Sequence, residues 1–234
     1  MPGPAGRQVQ GPAGYGGGVA RGRLITIEGL DGAGKSTLAR GLQRAVAERG
    51  GEAQVLREPG GVELSERIRA LVADPALAVS PRTEALLYAA ARAQLVEERL
   101  QPLLHEGAFV LLDRFADSSL AYQGAGRALG VQQIREINQF ATGRLEPDRT
   151  LLLRIAPAAG RARQQERALQ PDRLERESER FFEAVAAAYD ELASAEPLRI
   201  RTLDASQPAD QVLDAALAAL EDLLPAAASP SGRL

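Results

Sequence analysis

The sequence predicts an α/β fold in three layers, a mostly parallel five-stranded sheet flanked by helices, and three observations carry that expectation. Five short apolar, β-branched runs recur along the chain, the first being Leu24-Ile25-Thr26-Ile27. Stretches with apolar residues at helical spacing separate them, and this alternation implies parallel strands joined by right-handed crossovers. Residues able to handle phosphate gather just after the strands, the edge at which ligands bind in such sheets.

Residues 1–22 are Gly/Pro-rich with almost no bulky apolar content and read as a disordered extension. Residues 23–224 are expected to form one domain, with a small lid at about 158–173, and 225–234 a flexible tail. The first strand runs into Gly29, and from Lys35 a helix buries Leu38, Leu42, Ala45 and Val46 before Gly50-Gly51 stops it. Gln54–Leu56 is the second strand. Leu64–Ala73 is a helix ended by Asp74-Pro75. Ser80-Pro81 opens a long helix to about Leu100, since proline is tolerated in a first turn. Phe109–Leu112 is the third strand, Val131–Ala141 a helix and Thr150–Ile155 the fourth strand. Ala158–Leu169 is an Arg-rich helix or lid, Glu175–Ala195 a long amphipathic helix, Leu198–Leu203 the fifth strand and Ala209–Leu223 the closing helix.

Composition narrows the function. A net charge of −3 gives no basic field for coating nucleic acid. The absence of cysteine removes disulfides, thiolate metal sites and cysteine nucleophiles. No apolar run is long enough to span a membrane, and the N-terminal segment lacks the apolar centre of a secretory signal, so a cytoplasmic protein without a membrane partner is expected. The one histidine, His105, follows an apolar helical stretch and reads as a helix-end residue. Of the 28 lysines and arginines only Lys35 is a lysine. An otherwise complete arginine bias points to one place where only a compact ammonium fits.

That place is a phosphate loop. Gly29-Leu30-Asp31-Gly32-Ala33-Gly34-Lys35-Ser36 fits G-x-x-x-x-G-K-[ST], between a strand and a helix. The loop's N–H groups and the helix's positive end cradle phosphate oxygens, Lys35 reaches the β/γ-phosphates of a nucleoside triphosphate, and Ser36 ligates Mg²⁺. Asp113, ending the apolar run Phe109–Leu112, is a second candidate Mg²⁺ ligand. With the alternation above, this predicts the three-layer P-loop NTPase fold. A GTPase would carry N-K-x-D, which is missing. Arginines at strand ends and in the lid, with Tyr88 and Arg92 one helical turn apart, suit a kinase whose acceptor is itself a phosphate.

The chain resembles the thymidylate (dTMP) kinases from about Leu24 to Leu223. The resemblance rests on Glu28–Thr37, on Arg57-Glu58-Pro59-Gly60-Gly61 and on Leu86–Arg92. It continues through Asp113-Arg114-Phe115, Ser118–Gly124, Pro147-Asp148 and Asp172–Glu175. The Arg-Glu-Pro-Gly-Gly and Ala-Tyr-Gln-Gly segments are its specific parts. The resemblance implies transfer of the ATP γ-phosphoryl group to dTMP, with Mg²⁺, by a homodimer. It implies that Gly29–Thr37 bind ATP, that Arg57 and Arg92 bind the dTMP phosphate and that Tyr88, where relatives usually carry Phe, stacks on thymine. Asp31 would lie near the sugar 3′-hydroxyl and the phosphates. Ser119 and Gln123 would line the base pocket, Tyr122 would limit space at the sugar 2′ position, and Arg114 would bridge donor and acceptor phosphates. One branch of the family carries an arginine where this loop has Gly32, and the other supplies that cation from the lid. Here the lid holds Arg161, Arg163 and Arg167, with Arg167 expected as the mobile transition-state cation and Arg163 against adenine. A solvated basic helix face is the plainer reading of the three. Arg154 and Ala158 depart from the family's usual Asp and Glu. Two rivals stay open: a kinase for another small acceptor, and a nucleotide-binding switch without transfer.

Overall fold

In the computed structural model, which describes residues 21–166 and 172–225, five strands form one all-parallel sheet in the order β2-β3-β1-β4-β5. They are β1 (Arg23–Gly29), β2 (Ala53–Arg57), β3 (Phe109–Asp113), β4 (Arg149–Arg154) and β5 (Ile200–Asp204). β1 lies at the centre with Leu24, Ile25 and Ile27 fully buried, as a strand covered on both faces requires. The helices are α1 (Lys35–Glu48), α2 (Glu63–Ala73), α3 (Pro81–Leu95), α4 (Gln101–His105), α5 (Ala116–Ser119), α6 (Val131–Ala141), α7 (Pro157–Gln165), α8 (Glu179–Ala195) and α9 (Ala209–Ala219). Alternate strand residues feed two cores. Leu24, Val110 and Leu112 pack with Leu95, Leu100 and Phe115, while Ile25, Ile27 and Leu111 pack with Leu38, Leu42 and Val185.

Register positions the site. Ile27 and Arg57 both pair with Asp113, so the chain leaves β1, β2 and β3 at one edge of the sheet. The phosphate loop, the Arg57–Gly61 turn and Arg114 therefore meet there, the placement expected from the order of elements.

The differences from expectation have local causes. The long helix does not stop at Leu100. It passes through a π-helical stretch, Val96–Leu100, and ends at the exposed His105. Pro102 has no N–H and crowds the carbonyl one turn back, and widening the turn so that the Gln101 N–H reaches the Val96 carbonyl relieves that crowding. α5 and a second π stretch, Leu120–Gly126, form where Ser- and Gly-rich sequence gave no helical signal. Tertiary hydrogen bonds to Ser118, Ser119, Tyr122 and Gln123 hold this segment. α8 starts at Glu179 because the Ser178 hydroxyl caps the Phe181 N–H. α9 ends at Ala219, and β5 starts at Ile200 with Leu198 left 81% exposed.

A polar thread crosses the sheet. Thr26 and Thr150 hydroxyls lie 2.7 Å apart, Thr150 donates to Asp117, and Arg199 grips both Asp117 oxygens at 2.7 and 3.0 Å. Asp117 is 5% exposed. Replacing it by Ala should lower the unfolding free energy in urea by about 3 kcal/mol, the low end for a broken buried pair because Arg199 keeps Glu196. Asp117→Asn should lose less, and equal losses would show that its hydrogen-bonding shape contributes nothing beyond its charge.

Candidate active site

The loop after β1 turns through Gly32 and Gly34, at φ +80° and +98°, conformations that favour glycine. Lys35 is 7% exposed, and its Nζ donates to the carbonyls of Gly29 (3.2 Å) and Leu30 (3.0 Å) and approaches Asp31 at 3.4 Å. Burial and the neighbouring Arg114 lower its pKa from the ordinary lysine value, against the pull of Asp31 and Asp113. Ser36 Oγ donates to Asp113 Oδ2 at 3.0 Å, joining the two predicted Mg²⁺ ligands. Both are hard oxygen donors of the kind that ion prefers, so these residues fit it.

Arg114 stands at the seam. Its backbone has φ +71°, uncommon for a side chain of this size. Nη1 donates to the Gly29 carbonyl and Ser118 Oγ, Nη2 donates to Asp31 at 2.6 Å and to the Tyr122 hydroxyl, and the guanidinium lies 5.0 Å from the Tyr122 ring centre. Although burial opposes it, Arg114 holds Asp31 well below the usual carboxylate range, helped by Lys35. Two depressions share this seam. One, over the loop, is lined by Lys35, Ser36, Thr37, Arg57 and Asp113. The other is lined by Tyr88, Arg92, Ser119, Tyr122 and Gln123. Asp31, Glu58, Arg69 and Arg114 line both.

The structure thus gathers most of the predicted acceptor residues into one cavity, with two qualifications. Arg57 is not in that cavity. It lies on the loop side, 3.0 Å from both oxygens of Glu66. Arg92 lies beneath the cavity at 2% exposure and is already engaged. Nε donates to Glu58 at 2.7 Å, Nη1 to Ser119 and Asn138, and Nη2 to the Phe115 carbonyl, so four of its five N–H groups have protein partners. It is first a pillar of the cavity floor, with one N–H left for a ligand. Arg163 donates to the Ala205 carbonyl in the turn after β5, and Arg161 packs over Phe182. Arg167 lies outside the described residues. Arg154 pairs with Asp190 in an exposed bridge that adds little to stability.

Sequence reasoning missed several residues. Glu58 is buried beside Arg92 with Oε1 unpartnered, and burial pushes its carboxyl up to about 7 against Arg92's pull. Arg69 lines both depressions from α2 and donates to the Pro59 carbonyl at 3.2 Å. The fully buried Glu84 collects Gln123, Arg127 and Arg173. The recoverable signal was that Glu84 and Arg69 fall on the inward spacings of α3 and α2, with Ala85/Tyr88 and Ser65/Ile68.

Gly32 has a steric role. A Cβ there would lie 2.2 Å from the Gly160 carbonyl oxygen on α7, so α7 docks on the loop only where position 32 has no side chain. Gly32→Ala should displace α7, read as faster amide hydrogen exchange across Pro157–Gln165, and unchanged exchange would disprove the steric link. Arg92→Ala should lower the unfolding free energy by about 3–5 kcal/mol, because it strands Glu58. Thermal melting matching the parent protein would show that the pair bears no structural load.

Comparison with known proteins agrees with this geometry. The family profile described as thymidylate kinase matches residues 27–216. A thymidylate kinase of Lactobacillus helveticus is 46% identical over 211 residues, covering 88% of this chain and 98% of that protein. Those of Alkalilimnicola ehrlichii (46% over 212 residues, 89% and 95% covered) and Deinococcus radiodurans (47% over 194 residues, 83% and 94% covered) are similarly near. With a P-loop at one end of the seam and an arginine-floored cavity at the other, the chain belongs to the thymidylate kinase family.

Proposed function

We propose that the chain transfers the γ-phosphoryl group of ATP to dTMP, giving ADP and dTDP for dTTP synthesis, with ATP over the loop and dTMP in the cavity between Tyr88 and Gln123. The observation that supports this most is the shared seam, where Arg114 faces both depressions at once. A switch that only bound nucleotide would have no use for the second.

The chemistry asks for alignment more than for a base. The dTMP phosphate is anionic at neutral pH, so one of its oxygens attacks the γ-phosphorus directly. The new O–P bond forms as the bond to the β,γ-bridging oxygen breaks, and ADP leaves with that electron pair. No histidine is near, His105 lying exposed at the end of α4. Arg114 would neutralise charge on the transferring group, and Arg57, on the loop side, would meet the acceptor phosphate as it approaches the donor. Arg92 would add its one remaining N–H and hold Ser119 in place. The Tyr88 ring would stack on the base, Asp31 would meet the 3′-hydroxyl and Tyr122 would crowd the 2′ position. Ser36 and Asp113 would hold Mg²⁺, which when bound neutralises charge on the β/γ-oxygens. Arg163, seated on the turn after β5, would border adenine, and the segment about 158–173 would act as the lid that excludes water.

No helix among the described residues is long and apolar enough to cross a membrane. We assign the protein to the cytoplasm as a homodimer. Phe140, 92% exposed at the end of α6, is a large apolar side chain available for such an interface.

Coupled ADP release should be faster with dTMP than with dUMP or dCMP, and a reversed order would overturn the assignment. Lys35→Arg should lower kcat by about 10²–10³, because a planar guanidinium does not fit among the Gly29 and Leu30 carbonyls. Near-normal turnover in a folded variant would remove Lys35 from its assigned role.

A further inference from the structure

Gln123 reaches the acceptor cavity from the π stretch, and a carboxylate lies behind it. Glu84, fully buried on α3, accepts from Gln123 Nε2 at 2.9 Å, from Arg127 Nε and Nη2 at 3.1 and 3.0 Å, and from Arg173 Nη2 at 2.6 Å. We propose that Glu84 is a positioning residue for base selection: by taking the amide N–H of Gln123 it decides which end of that amide faces the cavity, and so which pyrimidines the site accepts. The inference rests on reading this cavity as the seat of a pyrimidine monophosphate.

The argument is one of hydrogen-bond polarity. Burial works against a charge on Glu84, but hydrogen bonds from Arg127, Gln123 and Arg173 hold its pKa below the ordinary carboxylate value. An ionised carboxylate only accepts, so the amide must turn its NH₂ toward Glu84 and its carbonyl oxygen away. The reverse orientation sets oxygen against oxygen and gives up a charge-assisted bond. Among the described residues no protein group donates to Gln123 Oε1, and that atom is not one of the side-chain oxygens sealed without a partner. Gln123 lines the cavity, so a hydrogen-bond acceptor faces the ligand. Thymine and uracil bring an N3–H to it. Cytosine brings a lone pair at N3, and the two acceptors repel. The 5-methyl group plays no part in this reading, so Glu84 governs N3 polarity alone.

Arg173 makes the same carboxylate a structural tie. It also donates to the Val72 carbonyl from the segment that follows α7, so loss of Glu84 will cost stability as well. The test must therefore separate the two effects. In Glu84→Gln the amide at 84 can accept or donate, and Gln123 becomes free to turn over. The dTMP:dCMP ratio of kcat/KM should fall by at least about tenfold, while the dTMP:dUMP ratio, both bases carrying N3–H, stays within about twofold. Arg127→Ala, which leaves Glu84 charged and paired with Arg173, should lower Tm without moving the dTMP:dCMP ratio. A general loosening of the pocket would move both ratios together and would overturn the proposal, as would a Glu84→Gln enzyme that keeps its preference over dCMP. If Glu84→Gln does not fold, Gln123→Leu decides: retained discrimination overturns the proposal, and lost discrimination with dTMP:dUMP unchanged supports it. A parent enzyme that prefers dCMP would instead sink the functional reading itself.

Discussion

A buried carboxylate, Glu28, sets the geometry on which the site depends. It is fully enclosed at the end of β1, and its oxygens accept from the Phe115 N–H at 2.7 Å, the Ser118 hydroxyl at 2.5 Å and the Tyr189 hydroxyl at 2.9 Å. These bonds pull the chain after β3 back over β1 and fix α5 against it. Arg114, caught between its own N–H bond to Ile27 and the Phe115 bond to Glu28, is forced to positive φ. That strain is tolerable because the surroundings determine it on both sides. The consequence is that the Arg114 guanidinium projects across the loop rather than along the strand, so the seam between the two depressions is built by the packing beneath it.

The cations of the site are held ready by internal partners. Lys35 is solvated by two carbonyls of its own loop, and Arg114 by Asp31, Gly29 and Ser118. Groups held in this way are already desolvated and already aimed, so an arriving anion would meet them with little reorganisation. Arg92 serves differently. Its four hydrogen bonds to Glu58, Ser119, Asn138 and Phe115 give it little freedom to move, but they fix the cavity floor and Ser119 upon it.

Legibility from sequence followed the range of the physical signal. The β1–loop–α1 unit is local, with strand pattern, glycines, lysine and helix contiguous, and it could be read to within a residue or two. Parallel alternation then placed Arg57, Asp113 and Arg114 at one edge. Ala116–Gly126 was not legible as helix, because its Ser and Gly content argues against one and its support comes from Glu28, Arg92 and Glu84, distant in sequence. The same holds for Glu84 itself. A charged residue on a helix reads as solvated surface unless the arginines that neutralise it, here Arg127 and Arg173, are known to fold back onto it. The family resemblance supplied Ser119, Tyr122 and Gln123, but not the reason that Gln123 faces the way it does.

The glycine pair at 32 and 160 gives a physical account of where cationic charge can reside in this site. With α7 docked, the Gly160 carbonyl fills the space a side chain at position 32 would need. An arginine at position 32 and α7 seated on the loop therefore exclude one another, and the positive charge around the loop comes from other positions. It does so around the loop depression, where Lys35, Arg40, Arg57, Arg69 and Arg114 stand against the carboxyl groups of Asp31, Glu58 and Asp113. Since burial pushes the Glu58 carboxyl up to about 7, it is only about half ionised at neutral pH, and the balance there is more positive than a count of side chains implies. Four of those five basic groups come from α1, α2 and the end of β2, and the fifth is Arg114, just after β3 at the seam. A pocket charged in this way attracts a triphosphate without any cation from α7.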